Sequence, residues 1–420
     1  EKDDRVMLVR DRVSRIVFMH RFFDYPISLK WQTFANMGLW RTIKAGCGYL
    51  YSSVFKRKEE SLEDFYINRF GRPLYSMFFE DYTEKVWGVH PSKLGADWGS
   101  QRVKGLSVAA VLKDMLTKKF KSSKDIFQKE VETSLIEQFI YPKYGPGQLW
   151  ETVAQSVRDK SGEIVTGGEV VGVHVEDGRV VSVDIRKDGA VGNVPCDYLL
   201  SSMPIKDLVA ALRGVDIPQE VADIAAALPY RDFVTVGLLV ERLAIRNQTK
   251  LATVGGIVPD TWIYVQDRGV RMGRIQIFNN WSPYMVDDVT KHVWIGLEYF
   301  CSEGDWLWTM ADGEFIAMAA AELRQIGVLS EGEPVLKSVR LNVKKAYPAY
   351  FGSYAEFGKV RAWLDTIPNL WCIGRNGQHR YNNMDHSMLS GVEAVRSLLG
   401  GTDKAAVWNV NTESEYHESK

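Results

Sequence analysis

Two arginines, two histidines, a tyrosine, three asparagines and an aspartate crowd around two glycines in residues 371–388, WCIGRNGQHRYNNMDHSM. An apolar run ends at Gly374-Arg375, and helical spacing resumes near Ser387. The segment holds far more hydrogen-bonding capacity than a turn needs. Gly374 and Gly377 let the backbone approach a ligand closely, and the following helix would offer free N–H groups and partial positive charge to an anion or an electron-rich ring. That chemistry suits a phosphate or a flavin; the plainer alternative is a polar surface loop.

The order of strand, Gly-Arg, polar turn, Tyr381, Asn383-Met384-Asp385 and helix resembles the C-terminal flavin signature of the FAD-dependent amine oxidase and protoporphyrinogen oxidase superfamily, in the branch that includes UDP-galactopyranose mutase. Here His379 stands where the mutase pattern usually has an aromatic tyrosine. Residues 81–88, DYTEKVWG, and 141–151, YPKYGPGQLWE, are similar to two internal signatures of that branch, and residues 196–204, CDYLLSSMP, to its strand returning toward the flavin.

The resemblance implies FAD as cofactor. Gly374 and Arg375 would meet the pyrophosphate, and Asn383, Met384 and Asp385 the isoalloxazine, with Val170 and Ser202 as further cofactor contacts. Tyr381 is then the best candidate on the substrate side, joined by Arg274 and His379 as catalytic candidates. Trp87, Tyr144, Asn280, Trp281 and Arg380 are substrate-binding candidates. Several of these have ordinary structural readings: a salt bridge for Arg375, a helix N-cap for Asp385, and core packing for Trp87.

Two features bound the function classes. The net charge of −1 gives no general attraction to nucleic acid or acidic membrane, and Lys118, Lys119, Lys121 and Lys124 lack the interleaved aromatics of a strand-binding groove. The expected partner is a small molecule, with a nucleotide sugar as one option, or copies of the chain itself as a homo-oligomer. The four cysteines are scattered with no CxxC pair, His379 and His386 lie seven apart without a cysteine companion, and no GxSxG elbow occurs. No metal site, disulfide framework or acyl-transfer triad is therefore expected, and a reducing cytoplasm fits. No apolar run is long enough to span a bilayer.

The positioning elements read as an α/β protein: a FAD/NAD(P)-binding Rossmann-like domain, an antiparallel-sheet substrate domain and a helical subdomain. Residues 1–30 read as a strand hairpin of the substrate domain and 31–140 as the helical subdomain. Residues 141–210 belong with the FAD-binding domain, 211–365 with an α+β substrate-binding domain, 366–400 with the C-terminal part of the FAD-binding domain, and 401–420 with a mobile tail. Strands are expected at 15–18, 22–27, 170–176, 179–185, 198–202, 233–240, 262–265, 274–278, 292–300, 335–346 and 370–373, with Asp177-Gly178 as a hairpin turn. Helices are expected over 148–160, 313–326 and 354–363.

A complete FAD protein of this superfamily begins with a strand, a GxGxxG turn and a helix that cradle the pyrophosphate. None is present in the 420 residues, so the Rossmann-like domain is expected to be incomplete at its N-terminus. Three readings follow: a FAD-dependent oxidoreductase, a sugar-nucleotide mutase using reduced flavin, and a non-catalytic binding protein or inactive fragment. The stretch GRIQIFNNWSPYM lacks the mutase's Thr-Arg run followed by Glu, Lys and His, which ranks the oxidoreductase first.

Overall fold

The computed structural model describes residues 4–25, 31–96 and 138–411. The chain divides into two units, one built from residues 1–160 and 232–344, the other from 161–231 and 345–414.

The first unit is organised on a seven-stranded sheet. In chain order its strands are β2 (Ser14–Phe18), β3 (Arg21–Asp24), β10 (Tyr230–Val240), β11 (Trp262–Val265), β12 (Arg274–Ile277), β13 (Val293–Cys301) and β14 (Val335–Pro348), and they lie in the order β14-β10-β13-β12-β11-β2-β3. β10, β13, β12 and β11 pair antiparallel, while β11 runs parallel to β2. Alternating Val234, Val236, Leu238 and Val240 on β10, with Ile295, Leu297 and Tyr299 on β13, point into a core closed by Phe315, Ala319 and Leu323 of the helix Asp312–Gln325. This is the period-two pattern that a one-sided sheet requires. The β2–β3 hairpin turns on Met19 and His20 with φ of 52° and 55°. That left-handed pair lacks glycine and is steadied by Asp267, whose Oδ1 accepts the Met19 N–H at 2.6 Å.

Five helices fill residues 31–87: α1 (Trp31–Met37), α2 (Leu39–Val54), α3 (Leu62–Phe70), α4 (Arg72–Phe78) and α5 (Glu80–Trp87). Ser61 and Asp64 form a capping box at the start of α3. α2 meets α4 backbone to backbone, because a Cβ on Gly71 would lie 2.6 Å from the Gly48 carbonyl carbon. The expected helical run beyond residue 96 lies outside the described residues. The sequence reading missed the antiparallel pair β1 (Met7–Asp11) and β4 (Gln138–Pro142).

The second unit contains a four-stranded sheet, β7-β6-β5-β9, and a parallel pair, β8 (Leu199–Ser201) with β15 (Leu370–Cys372). The four strands are β5 (Glu169–Glu176), β6 (Arg179–Lys187), β7 (Ala190–Pro195) and β9 (Leu212–Arg213). Asp177-Gly178 forms the expected turn, with φ of 48° and 74°. The helices Ile205–Ala211, Gln219–Ala226 and Phe357–Leu364 pack Leu208, Ile224, Val360 and Leu364 onto this core. Residues 404–411 are not a mobile tail: the helix Ala405–Asn409 buries Val407 and Trp408.

Candidate functional site

In the second unit, parallel β8 and β15 end side by side at Ser201 and Cys372, and Ser202 and Gly374 lie just beyond their ends. Gly374 has φ of 73°, a conformation that favours glycine. A Cβ on Gly377 would fall 2.4 Å from the Ser201 carbonyl oxygen, so Gly377 also serves close backbone approach. The Gly374 N–H donates to Ser390 Oγ at 2.8 Å, which ties the end of β15 to the helix Met384–Leu398. The Asn383 N–H donates to His386 Nδ1 at 3.3 Å at the start of that helix, leaving Met384 and Asp385 exposed in its first turn. The carboxyl ends of parallel strands beside a helix N-terminus are where open α/β sheets hold ligands. Val170 lies elsewhere in the unit, on β5 opposite Ile185, packed against the core.

The loop between these parts is fixed by its own side chains. Arg375 donates through Nε to the Asn382 carbonyl at 2.7 Å and through a terminal nitrogen to that of Ala346 at 3.0 Å. Its guanidinium carbon stands 4.5 Å from the centre of the Tyr381 ring, which stacks on Tyr347 at 5.5 Å. Arg375 therefore organises the loop with donors that a pyrophosphate would need. Arg380 donates to the carbonyls of Trp408 and Val410, both at 2.9 Å, closing the C-terminal end of the helix Ala405–Asn409. Both bonds are made by one terminal nitrogen of Arg380, the residue expected on the substrate side.

His379 is fully buried, its ring 4.7 Å from that of Tyr230, with Nε2 3.1 Å from the Ala349 carbonyl oxygen. Burial lowers its pKa to about 4, so the imidazole is neutral and Nε2 donates. His379, expected among the catalytic residues, is held in the core by the Ala349 carbonyl. The sequence reading passed over Tyr347, Tyr350 and Tyr354, which surround this loop; their three- and four-residue spacing just before the flavin-like segment was the available signal. The Tyr350 hydroxyl accepts the Tyr381 N–H at 2.5 Å.

In the first unit, the other candidates form an aromatic group. Trp281 lies 5.0 Å from Phe139, 5.2 Å from Tyr141 and 6.1 Å from Trp262, and its Nε1 donates to the Thr261 carbonyl at 2.9 Å. Arg274 lies over Trp262 and Phe300 and pairs with Glu298 at 2.7 Å, both side chains buried. Asn280 is likewise buried, donating to the carbonyls of Val258 and Asp260. Tyr144 is half exposed and its hydroxyl donates to Asp4 at 3.2 Å. Of these candidates Arg274 and Asn280 are buried and engaged with protein partners, while Trp281 and Tyr144 keep accessible edges.

Trp87 is 3% exposed and belongs to the helical core, the packing role that the sequence left open. Lys85 in the same motif is also structural. Its Nζ donates to the carbonyls of Val265, Asp267 and Met272 at 3.2, 3.2 and 3.0 Å, and burial lowers its pKa to about 8. Among the described residues no group of three or more His, Cys, Asp or Glu side chains could hold a metal ion, and no helix is long and apolar enough to cross a membrane.

No family model matches this sequence. A reduced UDP-galactopyranose mutase superposes with a TM-score of 0.77 at 18% identity, over 97% of this chain and 81% of the other. A protein assigned as a protoporphyrinogen oxidase from Exiguobacterium sp. 255-15 gives 0.60 at 14% identity, over 89% and 77%. A putrescine oxidase bound to putrescine gives 0.56 at 11% identity, over 94% and 83%. At these identities the likeness establishes the fold, the Rossmann-like α/β architecture that the sequence motifs implied.

Proposed function

We propose that this chain is a flavoprotein that binds FAD and serves as an oxidoreductase on a small molecule. The carrying observation is the convergence of Ser202 and Gly374, at the ends of two parallel strands, with the helix that begins at Met384. The fold shared with the mutase and the oxidases supports the same reading.

Bound FAD would supply the hydride chemistry. The residues that fit its ring end are Asn383, Met384 and Asp385, where backbone N–H groups and the helix dipole favour negative charge. Tyr381, packed against both Arg375 and Tyr347, presents a fixed aromatic surface on the substrate side. Gly374 and Ser202 provide the close backbone, while Arg375 keeps the loop in shape. The fit is to the ring half of the cofactor. Among the described residues no strand–GxGxxG–helix unit offers the phosphate cradle.

A second reading, a nucleotide-sugar mutase, is favoured by the TM-score of 0.77 over nearly the whole chain. It needs arginines free to fork a diphosphate, and Arg274 and Arg380 are engaged elsewhere in the structure. This ranks it below the oxidoreductase.

The test is the visible spectrum of FAD titrated with the purified chain. Saturable changes in the flavin bands, weakened by Gly374→Val while the fold persists, support the reading. Unchanged bands would leave a binding module without flavin.

A further inference from the structure

Asn382 is 1% exposed, and every one of its polar groups has a partner within the second unit. Its side-chain amide donates to the Gly374 carbonyl at 3.3 Å and to Gln378 Oε1 at 2.9 Å. Its backbone carbonyl accepts Arg375 Nε at 2.7 Å, and its Oδ1 accepts from Asn411 Nδ2 at 3.1 Å. Two acceptor oxygens facing one amide nitrogen fix the orientation of the carboxamide. Asn382 thereby fastens the start of the polar loop to its end, and a buried network satisfied at every member specifies a single arrangement.

The partner from outside the loop is the segment 404–411. Asn411 Nδ2 also donates to the Tyr381 carbonyl at 3.3 Å. The carbonyls of Val407, Trp408 and Val410, which the end of a helix leaves without partners of its own, accept from Gln378 Nε2 at 2.6 Å and from Arg380 at 2.9 Å. The other side of the segment is fixed to the body of the unit. Trp408 Nε1 donates to Asp365 Oδ1 at 2.9 Å, its ring lies 6.1 Å from that of Phe357, and Lys404 Nζ donates to the Ile367 carbonyl at 2.8 Å. Residues 404–411 therefore bridge the body and the loop. Their bonds to the loop fall on Gln378, Arg380, Tyr381 and Asn382, immediately before Asn383, Met384 and Asp385. Burial of Val407 and Trp408 accounts for the packing of the segment and requires no bond to Tyr381 or Asn382.

We propose that residues 404–411 are a brace that positions the loop for its ligand, with Asn411 and Asn382 as the positioning residues. They act through Tyr381 and the start of the helix Met384–Leu398, and not by contact with the ligand. The inference rests on the flavin reading above and adds that the affinity of the loop is set from a segment outside it.

Substitutions in the whole chain test this. Asn411 has φ of 60°, so Asn411→Gly keeps the left-handed backbone and removes both side-chain bonds. Hydrogen–deuterium exchange without ligand should quicken across residues 374–385 and stay unchanged in the seven-stranded sheet of the first unit. The dissociation constant for FAD, read from quenching of its fluorescence, should rise about tenfold, the loss expected of two hydrogen bonds. The fine structure of the bound flavin's long-wavelength band should blur with it. Asn411→Asp, of equal size, turns an acceptor toward two acceptor oxygens and should loosen the loop at least as much. Trp408→Phe, which cuts the bond to Asp365 on the far side of the brace, should quicken exchange in the same loop. Unchanged loop exchange in both Asn411 variants would overturn the proposal, as would faster exchange with an unchanged FAD constant and band. Wild-type chain that leaves FAD fluorescence untouched would fail the flavin reading instead, and the exchange data would then decide the brace by themselves.

Discussion

Ser390 Oγ accepts the backbone N–H of Gly374 at 2.8 Å, and through that bond the end of β15 is joined to the helix that follows the polar loop. Ser390 is fully buried and its hydroxyl donates onward to the Ser387 carbonyl at 2.7 Å. Ser390→Ala leaves a buried N–H without an acceptor, and the expected loss is about 1–3 kcal/mol. Gly374→Ala should cost about 1–2 kcal/mol for a different reason, its left-handed φ. Urea midpoints of the two variants check both values. Ser390→Thr, which keeps the hydroxyl, should retain more stability than the alanine.

His379 gives the second unit an acid-sensitive point. Its pKa falls from 6.5 to about 4 because burial disfavours the imidazolium. The unfolded chain therefore binds the proton first on acidification. The contribution is fully present above pH 6.5 and is lost as pH falls through about 4. Its size is about 3 kcal/mol. His379→Gln, which can still donate to the Ala349 carbonyl, should show a flatter decline of unfolding free energy over the same range. Identical slopes in the two proteins would contradict the burial argument.

Legibility differed by physical cause. The segment around Gly374 was readable because glycine, charge and amide groups gather there beyond any packing need, and the Asp177-Gly178 turn because only a few pairs tolerate that geometry. The roles of Arg274 and Asn280 were not readable. An arginine seen in sequence does not reveal that Glu298 stands on the neighbouring strand, 24 residues away. The β1–β4 pair was hidden because each partner is mixed in polarity and their pairing spans more than a hundred residues. The helix Ala405–Asn409 was hidden by its polar setting, although Trp408 is buried and its carbonyl accepts from Arg380.

Arg274 and Glu298 form a buried pair whose members depend on each other. Arg274→Met leaves the Glu298 carboxylate buried without its cation, and the expected destabilisation is about 3–5 kcal/mol. Adding Glu298→Leu should recover most of that loss. A double-mutant cycle on thermal unfolding measures it. An uncoupled pair, each substitution costing the same alone or together, would contradict the structural role assigned here.

Lys85 should act as a clamp through its three carbonyl acceptors. Lys85→Ala removes the donors and leaves those oxygens buried, for an expected loss of about 3 kcal/mol. Proteolytic opening near residue 267 should quicken in the variant, read by mass spectrometry of early fragments.

The central claim is that the loop from Gly374 to Asp385 holds a flavin. The most direct measurement is quenching of FAD fluorescence by the purified chain, compared with its Gly374→Val variant. Saturable quenching that weakens at least tenfold in the variant, at equal circular dichroism, is the predicted result. Quenching indifferent to Gly374, or none at saturating protein, would contradict the account.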